Sequence, residues 1–295
     1  MSDRVIDISE PSVRLRVDLD RLSIERPEQA PILVPLSEIA AIVVSNSSVS
    51  LTQQVLARLA CHGGIFVAMD EHFAPAGMLL PLDTHSTQAS RIRKQADAAA
   101  PTRKRLWQAI IRAKIRAQWR LLASLGLESG DGPRLMSQVR SGDPGNIEAV
   151  AAARYWKRLF GPDFRRDREA TDQNRMLNYG YAVLRAATAR AICAAGLHPG
   201  LGLHHHNQYS TFCLADDLME PFRPIVDRCV HSIVLRDGSD VEMSRHIRAE
   251  LAGSLLDRFD ADGERRTLFD LLARTASAVA RVLTGESRDA ELPIT

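Results

Sequence analysis

The spacing of the apolar residues changes once along this chain of 295 residues, and the change predicts two unlike domains. Every second residue from Val13 to Leu19 is apolar, which is the period of a β-strand with one buried face. Beyond residue 100, Trp107, Ile111 and Ile115 follow the three- and four-residue period of a long α-helix. The sequence therefore predicts a two-domain α+β fold with a small β-rich domain first and a larger helical domain second.

The domain boundary is expected within a polar stretch. Residues 1–83 contain several predicted strands and one predicted helix, which a capping pattern places after Ser50 and which ends near Gly63. Residues 84–100 are polar and contain few large apolar side chains, so we expect a linker there. We expect residues 101–295 to form an all-α domain, interrupted only by a short extended break at 233–235.

The composition predicts a protein that acts in the cytoplasm and does not span a membrane. Hydrophobic residues make up 45% and charged residues 25% of the chain, as in ordinary globular proteins. No apolar run approaches the roughly 20 residues that a membrane span needs. The sequence begins Met1-Ser2-Asp3-Arg4, without the basic start and apolar run of a secretory signal. The four cysteines are widely separated, so we expect neither disulfides nor a cysteine zinc site.

One segment is strongly basic although the whole chain is nearly neutral. Residues 91–120 contain ten Lys or Arg and one Asp, whereas the complete chain has a net charge of +2. Such a segment is a candidate surface for a polyanion such as nucleic acid, although basic helices can also serve solubility alone. The candidate DNA-binding residues are Arg91, Arg93, Lys94, Arg103, Lys104 and Arg112.

The first candidate for chemistry in the helical part is Glu148. Asn146 follows a glycine and is predicted to be the N-cap of a helix, which places Glu148 in the first turn. A carboxylate is favoured there by the helix dipole alone, so a purely structural role is the alternative to a catalytic one.

The second candidate is the run of His204, His205 and His206 after a predicted helix end. Consecutive side chains point in different directions, so at most one or two of them can bind one ion. Imidazole is a suitable ligand for several transition metals, including Mn²⁺. A solvent-facing loop without a ligand is the alternative.

The third candidate is the acidic segment that contains Asp217 and Glu220. Their three-residue spacing would place both carboxylates on one helix face. Alternatively, Glu220 pairs with Arg223, and Asp216 caps the helix. Two nearby prolines favour a fixed, bent backbone. With Glu148 and the histidines, these acids suggest a site for a divalent ion near a basic helix, which suits phosphoryl transfer on nucleic acid.

These motifs resemble those of the CRISPR-associated integrase family, the most widespread of the Cas proteins. The pattern is Gly202-x-x-His205, Glu220 fifteen residues later, and Glu148-Ala149 on an earlier helix. The segments 178–181 and 204–207 resemble the branch found in type II systems. The resemblance implies that Glu148, His205 and Glu220 are catalytic and hold Mg²⁺ or Mn²⁺, with Asp217 as a supporting acidic residue.

The resemblance also implies a function and a set of partners. The protein would be a metal-dependent DNA integrase and endonuclease that inserts short duplexes as new spacers into a CRISPR array through attack by a 3′-hydroxyl. It would bind double-stranded DNA, form a homodimer through its β-domain and assemble with a small second Cas protein that bridges two dimers. The effector nuclease of the same system is a further candidate partner. A catalytically idle DNA-binding scaffold, a transposon integrase and a nuclease for branched DNA remain the alternatives.

Overall fold

The computed structural model describes residues 4–70, 75–81, 85–205, 211–261 and 263–293, and its architecture is α+β as predicted. Eight strands precede the linker region, with one α-helix, α1 (Gln53–Cys61), among the described residues there. The strands are β1 (Arg4–Ile8), β2 (Arg14–Asp18), β3 (Arg21–Glu25), β4 (Ile32–Pro35), β5 (Ile39–Val44), β6 (Ser50–Leu51), β7 (Ile65–Met69) and β8 (Pro75–Leu79).

These strands form two four-stranded sheets. The first has the order β1, β5, β7, β8, in which the first three strands run parallel and β8 runs antiparallel. The second has the order β4, β3, β2, β6. The alternation in β2 is confirmed, since Leu15 is buried between exposed Arg14 and Arg16. Leu19 was expected on the buried face but is 84% exposed, because it lies in the tight turn before β3 with a positive φ of 44°.

Strand β5 belongs to two hydrophobic cores. Ile39 and Ile42 pack in a small core between the two sheets and α1. Ala40, Ala41 and Val43 instead join the large core of the helical region. The first sheet is therefore covered on one side by the second sheet and on the other by helices, so the apolar core crosses the predicted domain boundary.

The predicted linker contains a helix, α2 (Gln88–Ala96). The side chain of Gln95 is buried and hydrogen bonds the backbone before the histidine run: its Nε2 donates to the carbonyls of His198 and Leu201, both at 2.9 Å, and its Oε1 accepts from the N–H of His198 at 2.8 Å. Propensity and polarity did not reveal this helix, because the partners of Gln95 lie about a hundred residues further along the chain. The linker thus helps to hold the loop that leads to His205.

The helical region is confirmed, with a departure near its end. A β-hairpin of β9 (Arg258–Ala261) and β10 (Glu264–Thr267) interrupts it, so the region is not all-α. Residues 233–235, predicted to be extended, lie inside a helix. The helices are α3 (Ala100–Ser124), α4 (Gly132–Gln138), α5 (Ile147–Phe160), α6 (Asn174–Ala194), α7 (Cys213–Met219), α8 (Arg223–Asp237), α9 (Arg245–Ser254) and α10 (Leu268–Leu283). Within the described ranges, no helix is both long enough and apolar enough to cross a bilayer.

Candidate active site at the junction of three helices

Glu148 lies in the first turn of α5 and Asn146 is the N-cap residue, as predicted, but the side chain that bonds the helix end is that of Asp143. The carboxylate of Asp143 accepts hydrogen bonds from the N–H groups of Ile147 at 3.0 Å and Glu148 at 2.9 Å. Asn146, the predicted N-cap, has a positive φ of 49° and its side chain makes no capping bond. Because Asp143 accepts the free N–H groups at the helix end, the carboxylate of Glu148 is not needed for capping. Its Oε1 instead lies 2.7 Å from Nζ of Lys114.

Glu220 begins a short turn between two α-helices. α7 ends at Met219, residues Glu220–Phe222 form a single 3-10 turn, and α8 begins at Arg223. Pro221 lacks the N–H that a continuous helix would use. The α-helical hydrogen-bond pattern is therefore interrupted at this turn, and the carboxylate of Glu220 is nearly buried there.

The carboxylate of Glu220 lies between two cations. Its Oε1 is 2.8 Å from the Arg223 guanidinium, which confirms the predicted ion pair, and its Oε2 is 2.6 Å from Nζ of Lys114. Each oxygen of the carboxylate therefore lies against a different cation. Burial raises the pKa of Glu220, but the charges of Arg223 and Lys114 outweigh burial and lower the pKa to about 2. Glu220 is therefore ionised at neutral pH.

Lys114 is a residue of the site that the motif analysis did not single out. It lies on α3, and its side chain is 9% exposed. Burial lowers the pKa of Lys114, but the charges of Glu220 and Glu148 outweigh burial and raise the pKa. The sequence contained a signal, because Lys114 lies seven residues after Trp107 and three after Ile111, and therefore on the apolar stripe of α3.

His205 is oriented by Asp217, the predicted supporting acid. The side chain of Asp217 is fully buried on α7, and its Oδ1 lies 2.6 Å from Nδ1 of His205. Its Oδ2 accepts the N–H groups of Leu203 at 2.6 Å and His204 at 3.2 Å. The hydrogen bond to Asp217 raises the pKa of His205 more than burial lowers it. With Nδ1 held by the carboxylate, the other ring nitrogen, Nε2, is directed elsewhere, as in histidines that bind metals.

The histidine loop depends on Gly202 and Trp107. A Cβ atom at Gly202 would lie 2.4 Å from the carbonyl oxygen of His205 and 2.8 Å from Cβ of Cys213, closer than atoms can approach. The His204 ring stacks on Trp107 with the ring centroids 4.3 Å apart and the planes within 1°. His204 is therefore a packing residue here. His206, the third histidine of the run, lies outside the described residues.

The alternative roles for the acidic segment are also decided by the contacts. Asp216 does not cap a helix: it lies within α7, and its Oδ1 is 2.6 Å from Nε of Arg185 on α6. Asp217 and Glu220 do not converge, since Asp217 turns to His205 and Glu220 turns to Lys114 and Arg223.

The donor set is suited to a divalent ion, although the side chains do not form a closed cage. Among the described residues, no three His, Cys, Asp or Glu side chains lie close enough together to hold an ion as they stand. Glu148 and Glu220 nevertheless share one cation, the ammonium of Lys114. Two carboxylates with a nearby oriented imidazole are donors that Mn²⁺ accepts, and carboxylates suit Mg²⁺. The residues therefore fit the predicted ion after side-chain adjustment.

A basic cleft adjoins His205. A cavity of 840 Å³ lies against β8 and is lined by His205 and three arginines, Arg168, Arg185 and Arg223. A neighbouring cavity of 340 Å³ shares the same three arginines and adds Arg166. Two of these arginines are already paired with acids, Arg185 with Asp216 and Arg223 with Glu220, whereas Arg168 is exposed.

The predicted DNA-binding residues of α2 and α3 differ in whether their side chains bond to the protein's own backbone. Arg91 donates to the carbonyl of Ala195 at 2.8 Å, and Arg112 donates to the carbonyl of Val139 at 2.9 Å. Lys94 contacts the carbonyl of Thr284 at 3.3 Å. Arg93 and Lys104 are exposed and Arg103 is half-buried. The role of these six side chains as DNA contacts stays a prediction.

Comparison with known proteins places the chain in a family. A family profile described as CRISPR associated protein Cas1 matches residues 6–251. A protein of Neisseria meningitidis serogroup C named CRISPR-associated endonuclease Cas1 is 40% identical over 229 residues, which cover 75% of this chain and 73% of the relative.

Two solved structures share the fold. A casposase bound to an integration product superposes with a TM-score of 0.81 at 21% identity, covering 99% of this chain and 93% of the casposase. A chain of a Cas6-RT-Cas1–Cas2 complex superposes with a TM-score of 0.77 at 18% identity, covering 97% of this chain and 35% of that longer chain. The profile match and the Neisseria relative together show that this chain belongs to the CRISPR-associated Cas1 family.

Proposed function

We propose that this protein is a metal-dependent DNA integrase and endonuclease of CRISPR adaptation, which inserts short duplexes as new spacers into the array. The observation that carries the proposal is the pairing of Glu148 and Glu220. These residues come from separate elements of the fold, yet their carboxylates lie within 2.7 Å of one ammonium group. His205 is held nearby by a buried carboxylate. In such a cluster a cation can bind close to a phosphodiester.

Glu148, His205 and Glu220 are the residues that would hold Mg²⁺ or Mn²⁺. The ion, when bound, would polarise the scissile phosphodiester and lower the pKa of the attacking 3′-hydroxyl. Asp217 holds Nδ1 of the His205 ring, so Nε2 is the nitrogen that would bind the ion. Phosphates of the DNA strand bind to arginines of the adjoining cleft. The main candidate is Arg168, because it is exposed and lines both cavities.

The proposal includes a homodimer formed through the second sheet. Strand β4 is an edge strand of that sheet, and two of its apolar side chains are exposed, Ile32 at 49% and Leu33 at 39%. An exposed apolar edge strand favours pairing with a second copy. The similar chain of the Cas6-RT-Cas1–Cas2 complex is assembled with Cas2, and a small partner of that kind would bridge two dimers of this protein. The protein would act on double-stranded DNA in the cytoplasm.

The test is a strand-transfer assay with the full-length chain. A labelled duplex with free 3′-hydroxyls is incubated with a supercoiled plasmid that carries the CRISPR repeat array, with Mn²⁺, with Mg²⁺ or with EDTA. We expect joined and nicked products only with a divalent ion, and their loss in Glu148→Gln, His205→Ala and Glu220→Gln. The matched control is Glu291→Gln, an exposed glutamate far along the sequence from the site, which should retain full activity. Binding of the duplex with no ion-dependent joining or cleavage would instead establish a DNA-binding scaffold.

A further inference from the structure

The single ammonium of Lys114 lies between the two carboxylates of the site. Its Nζ is 2.7 Å from Oε1 of Glu148 and 2.6 Å from Oε2 of Glu220, and these partners are 34 and 106 residues away in sequence. The Lys114 side chain is only 9% exposed, so water competes little for the ammonium. It contacts both acidic side chains directly.

The charges of the four side chains that these ion pairs join already balance one another. Glu148 and Glu220 each carry one negative charge, and Lys114 and Arg223 each carry one positive charge. A divalent ion that binds the same carboxylates adds two positive charges to a neutral cluster. It must also share, or take over, the carboxylate oxygens that the ammonium contacts. Like charges at such distances, with little intervening water, repel strongly.

We propose that Lys114 is an internal counter-ion that competes with the divalent ion for Glu148 and Glu220, and thereby sets how weakly the site binds metal. This inference rests on the proposed metal site of Glu148, His205 and Glu220. In the absence of metal, Lys114 stabilises the two carboxylates at short range. When metal is present, the same contact opposes its binding.

A purely structural role for Lys114 predicts a change in metal affinity of the opposite sign. If Lys114 only held Glu148 and Glu220 in place for the metal, its removal would loosen the ligands and weaken metal binding. If Lys114 competes, its removal leaves two carboxylates without their shared cation and strengthens metal binding. The direction of the change in affinity therefore separates a competing cation from a structural tie.

The experiment measures Mn²⁺ binding to the full-length protein by calorimetry, and thermal unfolding with Mn²⁺ or EDTA. We expect Lys114→Met to bind Mn²⁺ at least tenfold more tightly than the wild type. We also expect a lower Tm in EDTA and a larger rise of Tm on adding Mn²⁺. Lys114→Arg keeps the charge and should bind Mn²⁺ with an affinity close to that of the wild type. Lys157→Met removes an exposed lysine of α5 and should change neither quantity.

Two results would overturn the inference: an affinity of Lys114→Met equal to or weaker than that of the wild type, or an affinity of Lys114→Arg as tight as that of Lys114→Met. If Lys114→Met does not fold in EDTA, Lys114→Gln replaces it, and rescue of folding by Mn²⁺ in either variant supports the inference. Glu148→Gln and His205→Ala identify the site, because both should lose Mn²⁺ binding. If both bind Mn²⁺ as the wild type does, the proposed metal site is wrong and the competition fails with it. If both lose binding while Lys114→Met is not tighter, only the role of Lys114 is wrong.

Discussion

The hydroxyl of Tyr155 donates a hydrogen bond of 2.7 Å to the carboxylate of Asp227, and both residues are fully buried. Tyr155 lies seven residues after Glu148 on α5, and Asp227 lies seven residues after Glu220. Seven residues are about two helical turns, so Tyr155 and Glu148 share one side of α5. This bond therefore ties α5 to α8 on the same side as the acidic cluster and fixes the spacing of the elements that carry its two carboxylates.

Tyr155→Phe tests this tie. The change removes one hydrogen bond and leaves a buried carboxylate with one donor fewer, so the free energy of unfolding should fall by about 1 to 3 kcal/mol. Strand transfer should fall as well, because Glu148 and Glu220 are less firmly spaced. Chemical denaturation and the strand-transfer assay measure the two effects.

The control for Tyr155→Phe is Tyr179→Phe, which removes a bond of equal length from the Tyr179 hydroxyl to Asp7 of β1. It should cost similar stability while strand transfer is retained. Equal losses of activity in the two variants would show that the hydrogen bond between Tyr155 and Asp227 has no specific effect on the site.

Asp227 should make stability depend on pH. Burial raises the pKa of Asp227 to about 7, against the hydrogen bonds of Tyr181 and Tyr155 and the charges of Arg223 and Arg166. Between its unfolded pKa near 4 and the folded value, the folded protein holds a proton that the unfolded chain has released. This carboxyl therefore destabilises the fold increasingly as the pH rises from about 4 to 7, and no further above that range.

Asp227→Asn removes this titration, and the Asn side chain can still accept one tyrosine hydroxyl. The Tm of the variant minus the Tm of the wild type should therefore increase from pH 5 to pH 8. Thermal unfolding over that range measures the difference, in which contributions from other groups cancel. A difference that is constant or decreases with pH would show that Asp227 is ionised in the folded protein throughout.

Gly202→Ala should displace His205 without unfolding the protein. The added methyl group would lie 2.4 Å from the carbonyl oxygen of His205, so the loop must move. We expect a loss of Mn²⁺ binding and of strand transfer, with far-UV circular dichroism unchanged.

Gly253→Ala is the matched control: no atom lies within 4 Å of its added methyl group, and it lies within α9. This change should raise stability by about 0.5 to 1 kcal/mol and leave activity intact. Full activity of Gly202→Ala would show that the close approach is not required.

The basic segment should divide into DNA contacts and structural residues. Arg93 is exposed, whereas Arg91 donates to the carbonyl of Ala195 and lies 3.9 Å from Glu286. Arg93→Gln should weaken binding of unrelated duplexes alike and reduce the slope of log affinity against log salt by about 0.9. Arg91→Gln should chiefly lower the Tm. An unchanged salt slope in Arg93→Gln would show that Arg93 does not contact DNA phosphates and is only a solvated residue of the helix surface.

Local patterns predicted the parts of the fold that local physics determines. The alternation in β2 and the long α3 follow from neighbours in sequence, and both are present. α2 was not predicted, because polar residues form it and Gln95 is buried only by a distant loop. The hairpin of β9 and β10 was not predicted either, since β10 contains no apolar residue and therefore shows no strand alternation.

The candidate site shows the same limit. Local patterns offered its acidic and histidine residues as separate candidates, and the resemblance to a known family joined Glu148, His205 and Glu220 into one site, but neither reveals which side chain faces which. Asp217 contacts His205, whereas Glu220 contacts Lys114. This difference depends on the turn at Glu220–Phe222. The participation of Lys114 depends on the packing of α3 against that turn. Tertiary contacts of this kind carry no signal in a single sequence beyond a charge on an apolar stripe.

The two-sided burial of β5 has a consequence for how the chain is made. Synthesis proceeds from the N-terminus, and β5 ends 130 residues before α6 begins. Until α6 leaves the ribosome, the side of the first sheet that contains Ala41, Val43 and Val67 lacks the helix that packs against β5 and β7. The packing of this side of the sheet is therefore completed only after α6 has been synthesised. A nascent chain that stalls before Asn174 would expose an apolar sheet to solvent, which is the type of intermediate that aggregates or engages chaperones.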